Sequence, residues 1–182
     1  MLGPFAPLCR TALSLGCALA AVLLSGGAGL AQDGGSALEQ ATKAAMIYNF
    51  GRFTTWPNSR FDRADDPVVV CIDPSDPLAP ALAAINGKQL GTRTLVVRRT
   101  PRIDHSCAMS YITSGSASDG LLSSLADHGV LTIGETPNFS RSGAIKLVTI
   151  GRQVRFEINQ QVAAAAGAHL SSNLLRLAVA VR

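Results

Sequence analysis

Apolar residues along this chain recur first at helical intervals, then in short continuous runs, and the two patterns alternate to the end. Ser36-Ala37-Leu38-Glu39 is a capping box, serine at the N-cap and glutamate three residues on, so a helix is expected to begin at Ala37. Leu38, Ala41, Ala45, Tyr48, Asn49, Arg52 and Phe53 then fall on one helical face, with Met46 and Phe50 beside it. Pro57 closes that region, because the residue before a proline avoids the helical conformation. The β-branched run from Pro67 to Asp73 reads as a strand buried on both faces. A turn and a short helix ending at Gly87 follow, then strands over Arg93–Arg99 and Ala108–Thr113. Ser116 or Ser118 is placed to cap a helix that stops at His128-Gly129. Val130–Ile133 reads as a strand and Gly134–Gly143 as a polar loop. Ala144–Ile150 and Gln153–Ile158 form a hairpin across Gly151-Arg152. Asn159 is then expected to cap one long last helix from Gln160 to about Val179. Strands alternating with helices predict an α/β fold: a mixed, mostly parallel sheet flanked by helices on both faces, with a late antiparallel hairpin.

The first thirty or so residues stand apart from this pattern. A single basic residue, Arg10, precedes an apolar run from Ala12 to Leu24 and then small residues, which is the layout of a secretory signal cleaved after Ala31 or Ala28. The run is shorter than the roughly 20 residues a membrane span needs. We therefore expect a leader over residues 1–31 and a single domain over 32–182, exported and not lipidated. Losing Arg10 lowers the net charge of +4 by one, and so weak and scattered a positive charge gives no footprint for nucleic acid. Removal of the leader also takes Cys9 and Cys17, leaving Cys71 and Cys107. In an oxidising compartment these two are a candidate disulfide, within one chain or between subunits, with two buried free thiols as the alternative.

Catalytic chemistry is sparse. The three histidines, His105, His128 and His169, come with no second ligand pair for a metal, and His128 is placed to complement a helix C-terminus. There is no nucleophile elbow or phosphate-binding loop, and the amides of Ser114-Gly115-Ser116 read as turn chemistry. The carboxylates Asp65, Asp66, Asp73 and Asp76 sit beside prolines as turn formers. We expect no enzyme, no cofactor and no metal. The stretch Asn49–Pro57, NFGRFTTWP, gathers two of the six phenylalanines and the only tryptophan. Phe53 is expected in the core and Trp56 over the helix end, with a binding role for the Trp56 face as the sharper alternative. Along the late strand Val154, Phe156 and Ile158 share one face, so Arg155 and Glu157 point the other way, either paired with each other or open to a partner.

Taken in order, ATKAAMIYNFGRFTTWP, the Cys71 strand, Cys107 before MSYITS, VLTIGETPNFSRSGAIKLV and VRFEINQQVAAAAGAHLSSNLLRLA resemble the YfiR family. The resemblance covers about Ala41 to Ala178. It implies a periplasmic, non-catalytic dimer that binds and represses an inner-membrane diguanylate cyclase, keeping cyclic di-GMP low; relatives also accompany receptor kinases. Cys71 and Cys107 match the family's disulfide positions, Trp56 and Pro57 its Trp-Pro signature, and Phe156, Glu157 and Asn159 its Arg-Phe-x-Ile/Val-Asn signature. Some members carry a second cysteine pair near the hairpin, where this chain has Ile145 and Arg152. Trp56, Arg155, Glu157, His169 and Asn173 are the expected partner-facing residues. The alternatives are a small-molecule-sensing domain and an accessory of a receptor histidine kinase.

Overall fold

The structure, a computed structural model, describes residues 30–112, 115 and 117–182; residues 1–29, which hold most of the expected leader, lie outside the described residues. The first helix, α1, is Leu30–Arg52 and so starts ahead of the capping box at Ser36. Once a helix has nucleated, each upstream residue adds one hydrogen bond, and extension overrides a cap that is merely available. The buried stripe of α1 is also rotated from the expected one: Lys43, Ala44, Ile47 and Phe50 are buried, whereas Leu38 is 70% exposed and Ala41, Ala45 and Arg52 are exposed. Alanines line both sides of this helix, so their spacing does not mark the core; Ile47 and Phe50 do.

After the short strand β1 (Thr54–Thr55) come β2 (Val68–Ile72), the single-turn helix α2 (Ala79–Leu82), β3 (Gln89–Leu90), β4 (Arg93–Arg99) and β5 (Met109–Ile112). The second half holds α3 (Asp119–Asp127), β6 (Leu131–Gly134), α4 (Phe139–Ser142), β7 (Ile145–Ile150), β8 (Gln153–Ile158), α5 (Gln160–Ala165), β9 (His169–Leu170), α6 (Ser172–Leu177) and β10 (Ala180–Val181). Eight strands make one sheet in the order β10-β8-β7-β6-β5-β2-β4-β3, antiparallel only at β7–β8 and β3–β4; β1 and β9 pair apart from it. The mixed, mostly parallel sheet and its late hairpin agree with the sequence pattern. Ser118 and Asn159 cap their helices as expected, accepting from the backbone N–H of Leu121 and Val162.

The expected last helix is instead broken into α5, β9 and α6. Gly167 takes a φ of 64°, the Gly167 N–H donates to the carbonyl of Ala164, and the Ala168 N–H donates to that of Ala163. This double bond pattern around a left-handed glycine is the Schellman stop, stronger here than the helix propensity of four alanines. Ser171 then caps α6 by accepting from the Leu174 N–H.

Side-chain alternation on the central strands divides the interior. Val68, Val70, Ile72, Met109, Tyr111, Phe156 and Ile158 meet α1 and α2 on one face; Cys71, Ile112, Leu122, Leu125 and Phe139 fill the other beneath α3. Phe139 is 1% exposed, and its ring stands directly on two glycines: a Cβ at Gly134 would come 2.3 Å from the ring, and one at Gly143 2.1 Å. At the carboxyl ends of β5 and β6, the Lys43 ammonium sits 2.7 Å from Glu39 and 2.9 Å from Glu135, and the Tyr111 hydroxyl donates to Glu135 at 2.7 Å. Burial works against the Lys43 charge, yet its bonds to the two carboxylates outweigh that and raise its pKa. Burial, with the neighbouring Glu135, raises Tyr111 far above the ordinary 10.0 of a phenol.

Two expectations follow. Gly134→Ala overfills the Phe139 site and lowers stability by about 1–3 kcal/mol in urea unfolding; an unchanged midpoint would show that the ring has room to move. Lys43 and Tyr111 both hold their protons more tightly in the folded chain than in the unfolded one. Their stabilisation is therefore intact below about pH 10 and is lost as pH climbs. Melting temperature should fall on the alkaline side less steeply in Tyr111→Phe; an identical fall would contradict the role of Tyr111.

Candidate functional site

The aromatic stretch after α1 builds a cleft. Phe50 takes the core position, packing edge-on to Phe156 with centroids 5.0 Å apart, while Phe53 is half-buried at the core margin. The Thr54 hydroxyl donates to the Phe50 carbonyl at 2.6 Å and ends the helix; Thr55 then pairs with His169 in the β1–β9 ladder. Pro57 lies against Gly167, where a Cβ would come within 3.3 Å of the proline ring. The chain is thereby held on both sides of Trp56. The indole stands perpendicular to Phe61, centroids 6.4 Å apart, and the Arg93 guanidinium stacks 3.6 Å from the Phe61 centroid. Arg93 is fixed in that place by donating to the carbonyls of Arg63 (3.0 Å) and Asp66 (2.7 Å). Between these groups opens a cleft of about 420 Å³, lined also by Arg52, Thr55, Asn58 and Leu90. Trp56 lines it as well, and its Nε1 is buried and has no hydrogen-bond partner among the described residues.

On the other face of the sheet, Cys71 and Cys107 form a disulfide within the chain, across a separation of 36 residues. Cys71 lies opposite Arg98 in the parallel β2–β4 ladder, and this register swings the guanidinium over the sulfurs. Arg98 Nε and Nη2 are each 3.3 Å from Cys71 Sγ, and Nη2 is 3.2 Å from Cys107 Sγ. Arg60 ties the neighbouring loop, donating to the carbonyls of Gly129, His105 and Cys107. His105 and His128 come together, with ring centroids 5.4 Å apart, and His128 Nδ1 is 2.7 Å from the Ser124 carbonyl at the end of α3. Among the described residues no three His, Cys, Asp or Glu side chains group as a metal site.

The expected partner-facing residues fall in separate places. His169 pairs with Thr55, the residue before Trp56, in the β1–β9 ladder and is exposed. Asn173 is exposed on α6, accepting from Arg176. Arg155 and Glu157 point away from the Phe156 face and take different partners: Arg155 donates to Gln153, and Glu157 lies 3.6 Å from Arg182. Asn159 is buried and, besides capping α5, donates to the Ser140 carbonyl. Three residues of these sites were not singled out from sequence: Phe61, Arg93 and Arg98. Arg98 was legible only through the pairing of RTLVVRR with VVVCI, since the strand register is what sets an arginine beside Cys71.

No curated protein sequence matches the chain. Among solved structures it is similar to a conserved domain protein from Vibrio cholerae O1 biovar El Tor str. N16961, at 12% identity, covering 79% of this chain and 60% of that one, with a TM-score of 0.48. That likeness is too slight to carry an argument, and the chain spans less than two thirds of that protein's length. A family model described as YfiR/HmsC-like matches residues 40–179, a span that takes in the aromatic cleft, both disulfide cysteines and the late hairpin. The chain belongs to the YfiR/HmsC-like family.

Proposed function

We propose that this chain is a periplasmic regulatory protein that binds the periplasmic portion of an inner-membrane diguanylate cyclase and represses it, lowering cyclic di-GMP. In this reading residues 1–31 are removed on export, residues 32–182 act as one domain, and the protein works as a homodimer. Trp56 is the centre of the docking surface. The observation that carries this is the cleft itself, which Trp56 lines together with Phe61, Arg52 and Arg93. Tryptophan and arginine together are the residue types that dominate binding energy at interfaces. Two guanidiniums on an aromatic floor favour a partner segment bearing carboxylates. The buried Lys43 ammonium is engaged with Glu135 in fixing α1 to the sheet, outside the cleft rather than in it.

The cleft volume of about 420 Å³ also lies in the range of small-ligand sites, and this favours a second reading in which a small anion occupies it and sets partner affinity. An accessory role beside a receptor histidine kinase uses the same surface and differs only in the partner.

Deleting the chain from cells that make it should raise cyclic di-GMP, and restoring it should lower the level again. Trp56→Ala, checked for an unchanged circular dichroism spectrum, should fail to restore repression and weaken partner binding by about 2 kcal/mol, roughly thirtyfold. Full repression by folded Trp56→Ala would remove the cleft from the account. No change in cyclic di-GMP on deletion would remove the cyclase.

A further inference from the structure

The disulfide is electrically lopsided. Cys71 lies within β2, paired on one side with β4 and on the other with β5, and Arg98 directs both Nε and Nη2 at its sulfur. Cys107 receives only Nη2, and Asp104 Oδ1 lies 4.0 Å from its sulfur and 3.6 Å from that same Arg98 Nη2. The Ser106 hydroxyl and backbone N–H both donate to that carboxylate, and these bonds hold Asp104 below the usual carboxylate range. It therefore stays ionised beside Cys107, paired with the Arg98 guanidinium. Arg60, the other cation nearby, is turned toward main-chain carbonyls rather than toward sulfur. Both cysteines are buried, but Cys107 follows an exposed turn, Asp104–Ser106, whereas Cys71 sits inside a strand with a paired neighbour on each side.

We propose that reductive opening of this disulfide is directed: an incoming thiolate attacks Cys107 Sγ, and Cys71 leaves as a thiolate held by the Arg98 guanidinium. The attacking thiolate supplies the electron pair for the new sulfur–sulfur bond at Cys107, and the pair of the broken Cys71–Cys107 bond goes to Cys71. The co-reactant is a thiol. A monothiol stops at the mixed disulfide on Cys107. A dithiol continues, its second sulfur attacking its first, releasing Cys107 as a thiolate that takes a proton from water, and leaving as the cyclic disulfide. A guanidinium fork stabilises a leaving thiolate, and a thiol of lower pKa leaves faster. The Asp104 carboxylate disfavours the opposite polarity, in which Cys107 would carry the charge. Arg98 is thus a positioning residue for thiol exchange, and Cys107 is the thiolation site.

The test is a brief exposure of the folded full domain to glutathione, an acid quench, alkylation in denaturant and peptide mapping by mass spectrometry. The glutathione adduct should fall on Cys107 and the alkyl group on Cys71. Adducts on Cys71, an even division, or no opening while the chain stays folded would each overturn the proposal. Arg98→Met should slow opening about tenfold and blur the preference, with Arg98→Lys restoring most of the rate. Faster opening in folded Arg98→Met would show the side chain to be only a cover, and would also overturn it. If Arg98→Met does not fold, the adduct position in the unaltered chain still decides the matter, together with Asp104→Asn, which should weaken the preference for Cys107. The proposal does not depend on which partner the cleft at Trp56 binds.

Discussion

The contact on which the rest depends is Phe50 against Phe156, edge to face at 67° with centroids 5.0 Å apart. It locks the first helix onto the last long strand of the sheet. Both rings are buried, and groups of this size each contribute several kcal/mol to a core. With α1 held there, its exit has one path. Thr54 turns back on the Phe50 carbonyl, β1 pairs with β9, and Pro57 settles on the glycine that stops α5. Trp56 lies between these fixed points, so its half-buried position follows from packing at both ends of the chain. The clustering of aromatics in NFGRFTTWP then has a divided explanation. Phe50 is core, Phe53 is margin, and Trp56 with Phe61 and Arg93 forms a surface.

The two faces of the sheet do different work. On the α1 face, apolar packing and the paired charges of Lys43 and Glu135 build a rigid mount for the Trp56 cleft. On the α3 face, Cys71, Cys107 and Phe139 share a smaller cluster in which the disulfide ties β2 to the entry of β5. A crosslink closing a loop of this size confers about 3–4 kcal/mol by the chain-entropy estimate, which is a large fraction of a small domain's stability. The same bond is handled by Arg98, a side chain that ordinary structural stapling does not need.

What could be read from sequence followed from local rules. VVVCID, the hairpin at Gly151-Arg152 and the caps at Ser118 and Asn159 each carry their own signal within a few residues, and each forms where expected. Alanines occupy both sides of α1 and give no contrast, so the spacing alone points to the wrong face of that helix. AAAA reads as strong propensity and carries the expected last helix too far, while the stop depends on one glycine adopting a left-handed turn beside Pro57. The cleft was half legible: Trp56 stood out by rarity, but Phe61 and Arg93 join it only through β4, whose place beside β2 is a matter of topology. Arg98 over the disulfide is the same kind of fact, set by register and silent in the linear sequence.

The central claim is that this chain acts by holding an inner-membrane signalling protein through the surface around Trp56. The most direct measurement is capture from solubilised inner membranes on the immobilised mature chain, run beside Trp56→Ala and read by mass spectrometry. The account predicts a membrane protein with a periplasmic segment and a signalling domain, a diguanylate cyclase, enriched on the unaltered chain and lost from the variant. Equal recovery on both, or no membrane protein on well-folded chain, would contradict it.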